Sequence, residues 1–180
     1  MPKKTGKKAS KRQTSTVTAK PATPAKRWKV SICRRQRLDA PAISPLRSTC
    51  QTILNLLDLT ELPEETTELS ILLTNDREIQ ELNLAWRGKN KPTDVLSFPS
   101  LEGRRRKDPP PVSLGDIVIS VETARQQAPR YSADFNTEIL RLIIHGILHL
   151  LGYDHVKVPP ARARQMRRLE NKLLKQITAP

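Results

Sequence analysis

An α+β fold is what the sequence predicts, and three observations carry the prediction. Short apolar runs with strand character stand at Leu69–Thr74 (LSILLT), Asp94–Phe98 (DVLSF) and within LGDIVIS at Ile117, Val118 and Ile119. Longer segments between and after them carry apolar residues at helical spacing, which marks one buried face. The two kinds of element mix without a regular βαβ repeat, which favours α+β over a doubly wound sheet. At 180 residues the chain has room for one compact domain with appendages.

The first 27 residues are rich in Lys, Thr, Ala and Pro with almost no large apolar side chain. They bury too little to offset ordering entropy, so residues 1–27 are expected to form a disordered basic tail and residues 28–180 the domain. The domain opens with Trp28, Val30 and Ile32 alternating with polar residues as in a half-buried strand. Ser44-Pro45 starts a helix whose buried stripe is Leu46, Cys50, Ile53, Leu54 and Leu57. After the LSILLT strand, Asn75 or Asp76 caps a helix carrying Ile79, Leu82 and Trp86. Residues 102–112 read as a charged, proline-stiffened loop, and Val121 to Ala128 as a short helix. Two helices close the chain, one from about Asp134 to Leu151 and one from about Pro160 to Ile177 with Met166, Leu169, Leu173 and Ile177 on one face.

Charge narrows the partners. The net charge of +14 is uneven: residues 1–38 hold 13 Lys and Arg and no acid, residues 39–81 sum to −7, and residues 82–180 to +8. Basic stretches at both ends point to a polyanion such as RNA or DNA, against the plainer alternative of a solvated surface. The tail is accordingly expected to act as a sequence-independent polyanion tether. No apolar run reaches 18 residues and no signal-peptide core follows the first lysines, so neither a membrane nor export is expected. The expected location is the cytoplasm, or an organelle if the tail is a transit peptide. Cys33 and Cys50 form no C-x-x-C pair and read as reduced thiols.

The chemistry concentrates in HGILHLLGYDH, residues 145–155, which holds all three histidines of the chain. His145 and His149 are four apart and share one helix face. Gly152 terminates the helix and can turn the chain so that His155 joins them. Three imidazoles supply three corners of a tetrahedral zinc site and leave the fourth for water or substrate, which is the catalytic pattern. Glu138 and Arg141 fall with His145 and His149 inside an arc of about 80° on an otherwise apolar helix. They are expected to support the metal ligands or to pair with each other. Histidines held only by hydrogen bonds in a core are the plainer alternative for a single His and a poor one for three at this spacing.

The spacing H-x-x-x-H-x-x-G-x-x-H is that of the metzincin proteases, but those place Glu directly after the first His and this chain has Gly146. The full string resembles the HGxLHLxGYDH hallmark of the YbeY family. LNLAWRGKNKPTDVLSFP (residues 82–99) is similar to that family's LNxxYRxxxxxTDVLSFP, and LGDIVIS (residues 114–120) to its LGDIxIS. The resemblance covers roughly Leu46 to Ile177. Trp86 stands where the family usually has Tyr, and the 102–112 loop and the tail look like additions.

The resemblance implies a zincin-like domain, a small mixed sheet packed against helices, binding one Zn²⁺. It implies a single-strand-specific endoribonuclease that matures the 3′ end of 16S rRNA and serves ribosome quality control. Its partners would be single-stranded or ribosomal RNA and the small ribosomal subunit. His145, His149 and His155 match the metal ligands, and Arg87 matches the active-site Arg, so Arg87 and His145 are the catalytic candidates.

A guanidinium near a metal can clamp a phosphodiester, whereas a solvated helix-end Arg is the plain alternative for Arg87. Thr93 and Asp94 either organise the loop beneath the metal or shape a turn, and Asp154 either supports a histidine or caps a turn. The last helix carries Arg162, Arg164, Arg167, Arg168, Lys172 and Lys175 against one acid, Glu170, and is either an RNA-facing surface (Arg164, Arg168) or a solvated one. Gly146 is expected to leave space beside the metal for a bulky phosphodiester. Without a carboxylate base, water attack on phosphorus and attack by the RNA's own 2′-OH both stay open. The rival readings are a metzincin-like metalloprotease and a non-catalytic, metal-stabilised ribosome-assembly factor. The oligomeric state is not readable from the sequence.

Overall fold

The structure is a computed structural model that describes residues 28–35, 38–57, 59, 62–64, 66–100, 112–156 and 158–179. The basic tail 1–27 and nearly all of the 102–112 loop lie outside the described residues. The elements run β1 (Lys29–Arg34), α1 (Ile43–Leu56), β2 (Glu68–Thr74), α2 (Asp76–Arg87), β3 (Val95–Pro99), β4 (Ser113–Ser120), α3 (Val121–Gln127), a 3₁₀ turn (Ala128–Tyr131), α4 (Phe135–Leu150) and α5 (Pro160–Thr178).

The strands form one mixed four-stranded sheet in the order β1-β2-β4-β3. β1, β2 and β4 are parallel, and β3 runs antiparallel to β4 along an outer edge. This is the α+β arrangement the sequence predicts. Pro99 ends β3, a position that a residue without an N–H tolerates on an edge strand.

Alternation along the strands divides the apolar residues between two faces. Leu69, Ile71, Leu73, Leu114, Ile117 and Ile119 turn one way and meet α1, α4 and α5 in the main core. Leu72, Leu96 and Val118 turn the other way and are covered by Ile79 and Leu82 of α2. The stripe expected on α2 departs at its end: Trp86 is 70% exposed and meets Phe98 of β3 edge to face, ring centroids 5.6 Å apart. The buried position in the last turns of α2 is Asn83, whose amide donates to the Lys91 carbonyl at 2.8 Å and anchors the following loop. The sequence also did not announce the 3₁₀ turn after α3, which Pro129 accommodates at its start.

Helix ends follow local chemistry. Asn75 and Asp134 accept from the backbone N–H groups of Glu78 and Thr137, capping α2 and α4. The carboxylate of Asp76 accepts from the hydroxyls of Ser120 and Thr123, fastening the start of α2 to the start of α3.

Two glycines set how α4 lies on the sheet. At Gly115, where β4 bulges against β2, a Cβ would stand 2.4 Å from the Phe98 carbonyl oxygen and 2.8 Å from Leu150 Cδ2. At Gly146 a Cβ would stand 2.9 Å from two carbons of the fully buried Ile117. Gly146 is therefore a point of close approach between α4 and β4. The expectation that it opens space beside the metal is corrected: its missing side chain is directed at the sheet. Among the described residues no helix is long and apolar enough to cross a membrane.

Candidate metal centre

The apolar arc of α4 (Ile139, Leu142, Ile143, Ile147, Leu150) fixes its sheet-facing side, and the polar arc with His145 and His149 is thereby turned away from β4. Leu151 ends the helix and Gly152, at φ +81°, reverses the chain. The Gly152 N–H donates to the His149 carbonyl at 2.9 Å and the Tyr153 N–H to the Leu148 carbonyl at 3.0 Å, the two bonds of a Schellman turn. Asp154 then accepts from the backbone N–H groups of His155 (2.6 Å) and Val156 (2.9 Å). Its carboxylate caps a turn, and those bonds, led by the one from Val156, hold its pKa below the usual value. Gly152 and Asp154 together carry His155 back over the helix end.

The result is a triad of imidazoles. Ring centroids are 4.7 Å (His145–His149), 5.0 Å (His145–His155) and 5.2 Å (His149–His155) apart. One nitrogen of each lies within 4.8 Å of the others. The Nε2 atoms of His145 and His149 are 3.2 Å apart. The edge of a tetrahedron with metal–nitrogen bonds of 2.0–2.1 Å is about 3.3–3.4 Å, so the helical pair matches two corners of such a site. Burial, then the neighbouring charges of His145 and His155, lower the His149 pKa to about 4, so this imidazole is neutral at physiological pH, as a ligand must be. Among the described residues no Cys, Asp or Glu joins the group, which leaves the fourth corner open.

Behind the triad runs a hydrogen-bonded chain. Nδ1 of His145 faces Oε2 of Glu170 at 3.0 Å. An ionised carboxylate only accepts, so Nδ1 carries the proton and Nε2 presents its lone pair to the metal position. The other oxygen of Glu170 accepts from Arg141 Nη1 at 3.4 Å, and Arg141 grips Glu138 through Nε (2.8 Å) and Nη2 (2.6 Å). Glu138 is fully buried, and its Oε1 also accepts from Gln127 Nε2 at 2.6 Å. Gln127 reaches Asp94 Oδ2 at 3.2 Å, while Oδ1 of Asp94 accepts from the Val95 N–H and from the Thr93 hydroxyl.

Burial alone would lower the Arg141 pKa, but the bonds and charges of Glu138, then the charge of Glu170, outweigh it and hold the guanidinium charged. Burial likewise opposes ionisation of Glu170, and His145 and Arg141 overcome it, leaving its pKa below the usual carboxylate value. A half-buried arginine shared by two carboxylates satisfies all three charges, where any one alone would be costly.

Glu138 and Arg141 thus pair with each other and reach the histidines through Glu170. Neither Glu170 nor Gln127 was singled out from the sequence. The available signal was position: Glu170 lies four residues after Met166 and three before Leu173, on the buried face of an otherwise basic helix.

Arg87 ends α2, which covers the opposite face of the sheet from α4, and the structure gives it no contact with the imidazoles. Its exposed side chain has no hydrogen-bond or ion-pair partner among the described residues. Arg164 and Arg168 are exposed on α5 and have no ion-pair partner among the described residues.

Comparison with known proteins gives the family. The chain is 44% identical over 115 residues to Endoribonuclease YbeY of Rhizobium etli, a match covering 64% of this chain and 66% of that protein. It is 41% identical over 129 residues to the Bartonella bacilliformis protein of the same name, covering 72% and 80%. The Persephonella marina protein of that name is 48% identical over 113 residues, covering 61% and 70%. The solution structure of TM1509 from Thermotoga maritima superposes with a TM-score of 0.52 at 26% identity, covering 83% of this chain and 89% of that one. The family model described as Endoribonuclease YbeY matches residues 32–178, and the chain belongs to that family.

Proposed function

We propose that this chain is a zinc-dependent endoribonuclease that cuts single-stranded RNA during maturation of the 3′ end of 16S rRNA and in ribosome quality control. It works in the cytoplasm, on or beside the small ribosomal subunit. The observation that carries the reading is the triad of imidazoles with one open corner, on a chain of a family of endoribonucleases. His145, His149 and His155 would hold the ion. When bound, the metal supplies Lewis-acid polarisation of a phosphoryl oxygen and lowers the pKa of water in the open corner.

The protein's own groups do the rest. Glu170 keeps the proton on Nδ1 of His145 and so orients Nε2. α4 packs against β3 from one side, and the end of α2 meets it from the other through Trp86 and Phe98. In this reading a strand of RNA crosses the outer edge of β3, between the helix that carries His145 and His149 and the end of α2 that carries Trp86 and Arg87. The unpaired Arg87 guanidinium clamps a phosphate through two N–H groups and stabilises charge as it develops on the equatorial oxygens. The exposed indole of Trp86 offers an unpaired base a stacking face, which duplex RNA cannot use.

Two features weigh against the rivals. A protease of metzincin spacing needs a carboxylate after the first histidine, and Gly146 is packed onto Ile117 with no room for one. A purely structural metal needs a fourth protein ligand, and none joins the triad among the described residues. The test is turnover of metal-replete protein on single-stranded RNA and on casein beside a His149→Ala control. Cleavage of RNA alone, abolished in the control, is expected; cleavage of casein, or of neither, overturns the reading. A substrate with one 2′-deoxy linkage at the cut separates direct water attack, which tolerates it, from attack by the 2′-OH, which does not.

A further inference from the structure

A cleft of about 600 Å³ lies between α5 and the segment joining His149 to His155. Its walls include Tyr153, Arg164, Gln165, Arg168 and Lys172. The three cations follow one another at intervals of four residues, so they form a single row about 12 Å long on one side of the helix. None has an ion-pair partner among the described residues, whereas Lys29, Arg35, Arg77, Arg125 and Arg141 all do. The reason lies in the sequence of α5. Its only acid, Glu170, is turned inward to His145 and Arg141, and nothing on the helix is left to neutralise the row. Three exposed like charges spaced one turn apart on one wall make a local positive potential that attracts a polyanion.

The floor supplies a second kind of contact. Leu169 and the half-buried ring of Tyr153 give an apolar surface beside the cations, and a ring face next to guanidinium groups is the combination on which an unpaired nucleobase stacks. Position supplies the third. Tyr153 is two residues from His155, and the helix that carries the cations also holds Glu170 against His145. The cleft therefore adjoins the metal centre.

We propose that this cleft is a substrate subsite for single-stranded RNA. The row formed by Arg164, Arg168 and Lys172 binds the backbone phosphates of nucleotides flanking the scissile linkage, and Tyr153 stacks on one of their bases. Its length of about 12 Å takes two to four nucleotides of a strand. The inference rests on the reading of the chain as a ribonuclease and adds to it a place where the substrate strand is held outside the reacting centre. It separates cleavage of longer strands from cleavage of fragments too short to leave the metal site.

The experiment compares the full-length wild-type chain, the triple variant Arg164→Gln/Arg168→Gln/Lys172→Gln, and a charge-matched control, Arg34→Gln/Arg47→Gln/Arg130→Gln. The control removes three exposed cations elsewhere on the fold. Equilibrium binding of a labelled single-stranded oligoribonucleotide is followed by fluorescence anisotropy over a salt series, and cleavage is read as kcat and KM on the same strand. The plot of log affinity against log salt should be shallower by about 2 for the cleft variant, so that it loses about 16-fold less affinity than wild type between about 50 and 200 mM salt. KM should rise at low salt while kcat stays within about twofold, because the lost contacts hold ground and transition states alike. The control should keep the wild-type slope.

An unchanged slope in the cleft variant, or an equal loss in the control, overturns the proposal. So does poly-glutamate of matched charge competing as well as RNA, which would assign the cleft to an acidic polypeptide. A wild-type chain that binds with the expected slope difference yet cuts no RNA refutes the ribonuclease reading and leaves the cleft as an RNA-binding site.

Discussion

Glu170→Ala is the perturbation that reports most on how the metal centre is built. Glu170 is 9% exposed, and its carboxylate accepts from His145 Nδ1 at 3.0 Å and from Arg141 Nη1 at 3.4 Å. Removing it leaves Arg141 still held by two bonds to Glu138, so the half-buried guanidinium keeps most of its compensation. Among the described residues His145 loses its only side-chain hydrogen-bond partner other than His149, and with it the preference for the Nδ1 proton. Losing a charge-assisted hydrogen bond of this kind costs about 1.5–3 kcal/mol of stability. Losing the group that orients a ligand costs about 10–100-fold in metal affinity. Glu170→Gln keeps an acceptor without the charge and should fall between. Metal affinity is read by competition with a chelator, and stability by urea unfolding with and without metal. Metal bound by Glu170→Ala within twofold of wild type would refute the argument that Glu170 sets the tautomer and aim of His145.

Arg87→Ala should lower turnover on RNA by about 10²-fold while metal content and unfolding midpoint hold, because the exposed side chain has no partner among the described residues; Arg87→Lys should restore only part. Gly146→Ala should destabilise by about 1–3 kcal/mol in urea, since its Cβ meets Ile117 at 2.9 Å in a filled core; a gain in stability would remove the close-approach argument. Asp134→Ala should cost about 1 kcal/mol at neutral pH as α4 loses its cap. Bonds from Thr137 hold the folded Asp134 pKa below its unfolded value near 3.9, so this contribution is present above that pH and is lost as pH falls through the folded pKa. Stability curves of wild type and Asp134→Ala should therefore converge in acid, and curves that stay parallel would contradict the assignment.

What could be read from the sequence was whatever local spacing decides. The pair His145 and His149, the terminator Gly152 and the return of His155 are consequences of helix period and one left-handed residue, and the structure brings the three rings together. The strands were legible because alternation and apolar runs reflect burial within each segment. The partners of the site were not legible, because they depend on which face of one element meets another. Glu170 touches His145 only because α5 lies across α4, and Gln127 joins Asp94 to Glu138 across three elements. Gly146 was misread for the same reason: the helix wheel places it beside His145, while only the packing of α4 on β4 shows that it faces Ile117. Trp86 fitted a helical stripe by spacing, yet it is exposed and meets Phe98 edge to face at the outer strand.

The central claim, a metal held by three histidines that cuts single-stranded RNA, is tested most directly by rebuilding activity from metal-free protein. The chain is stripped with chelator, returned to buffer and titrated with zinc while cleavage of a single-stranded RNA is followed. Cleavage should be absent at the start, rise linearly and level off at about one equivalent of zinc per chain. The His145→Ala/His149→Ala variant should show none at any point. Full cleavage by the stripped protein, or a wild-type response to zinc in the double variant, would contradict the account.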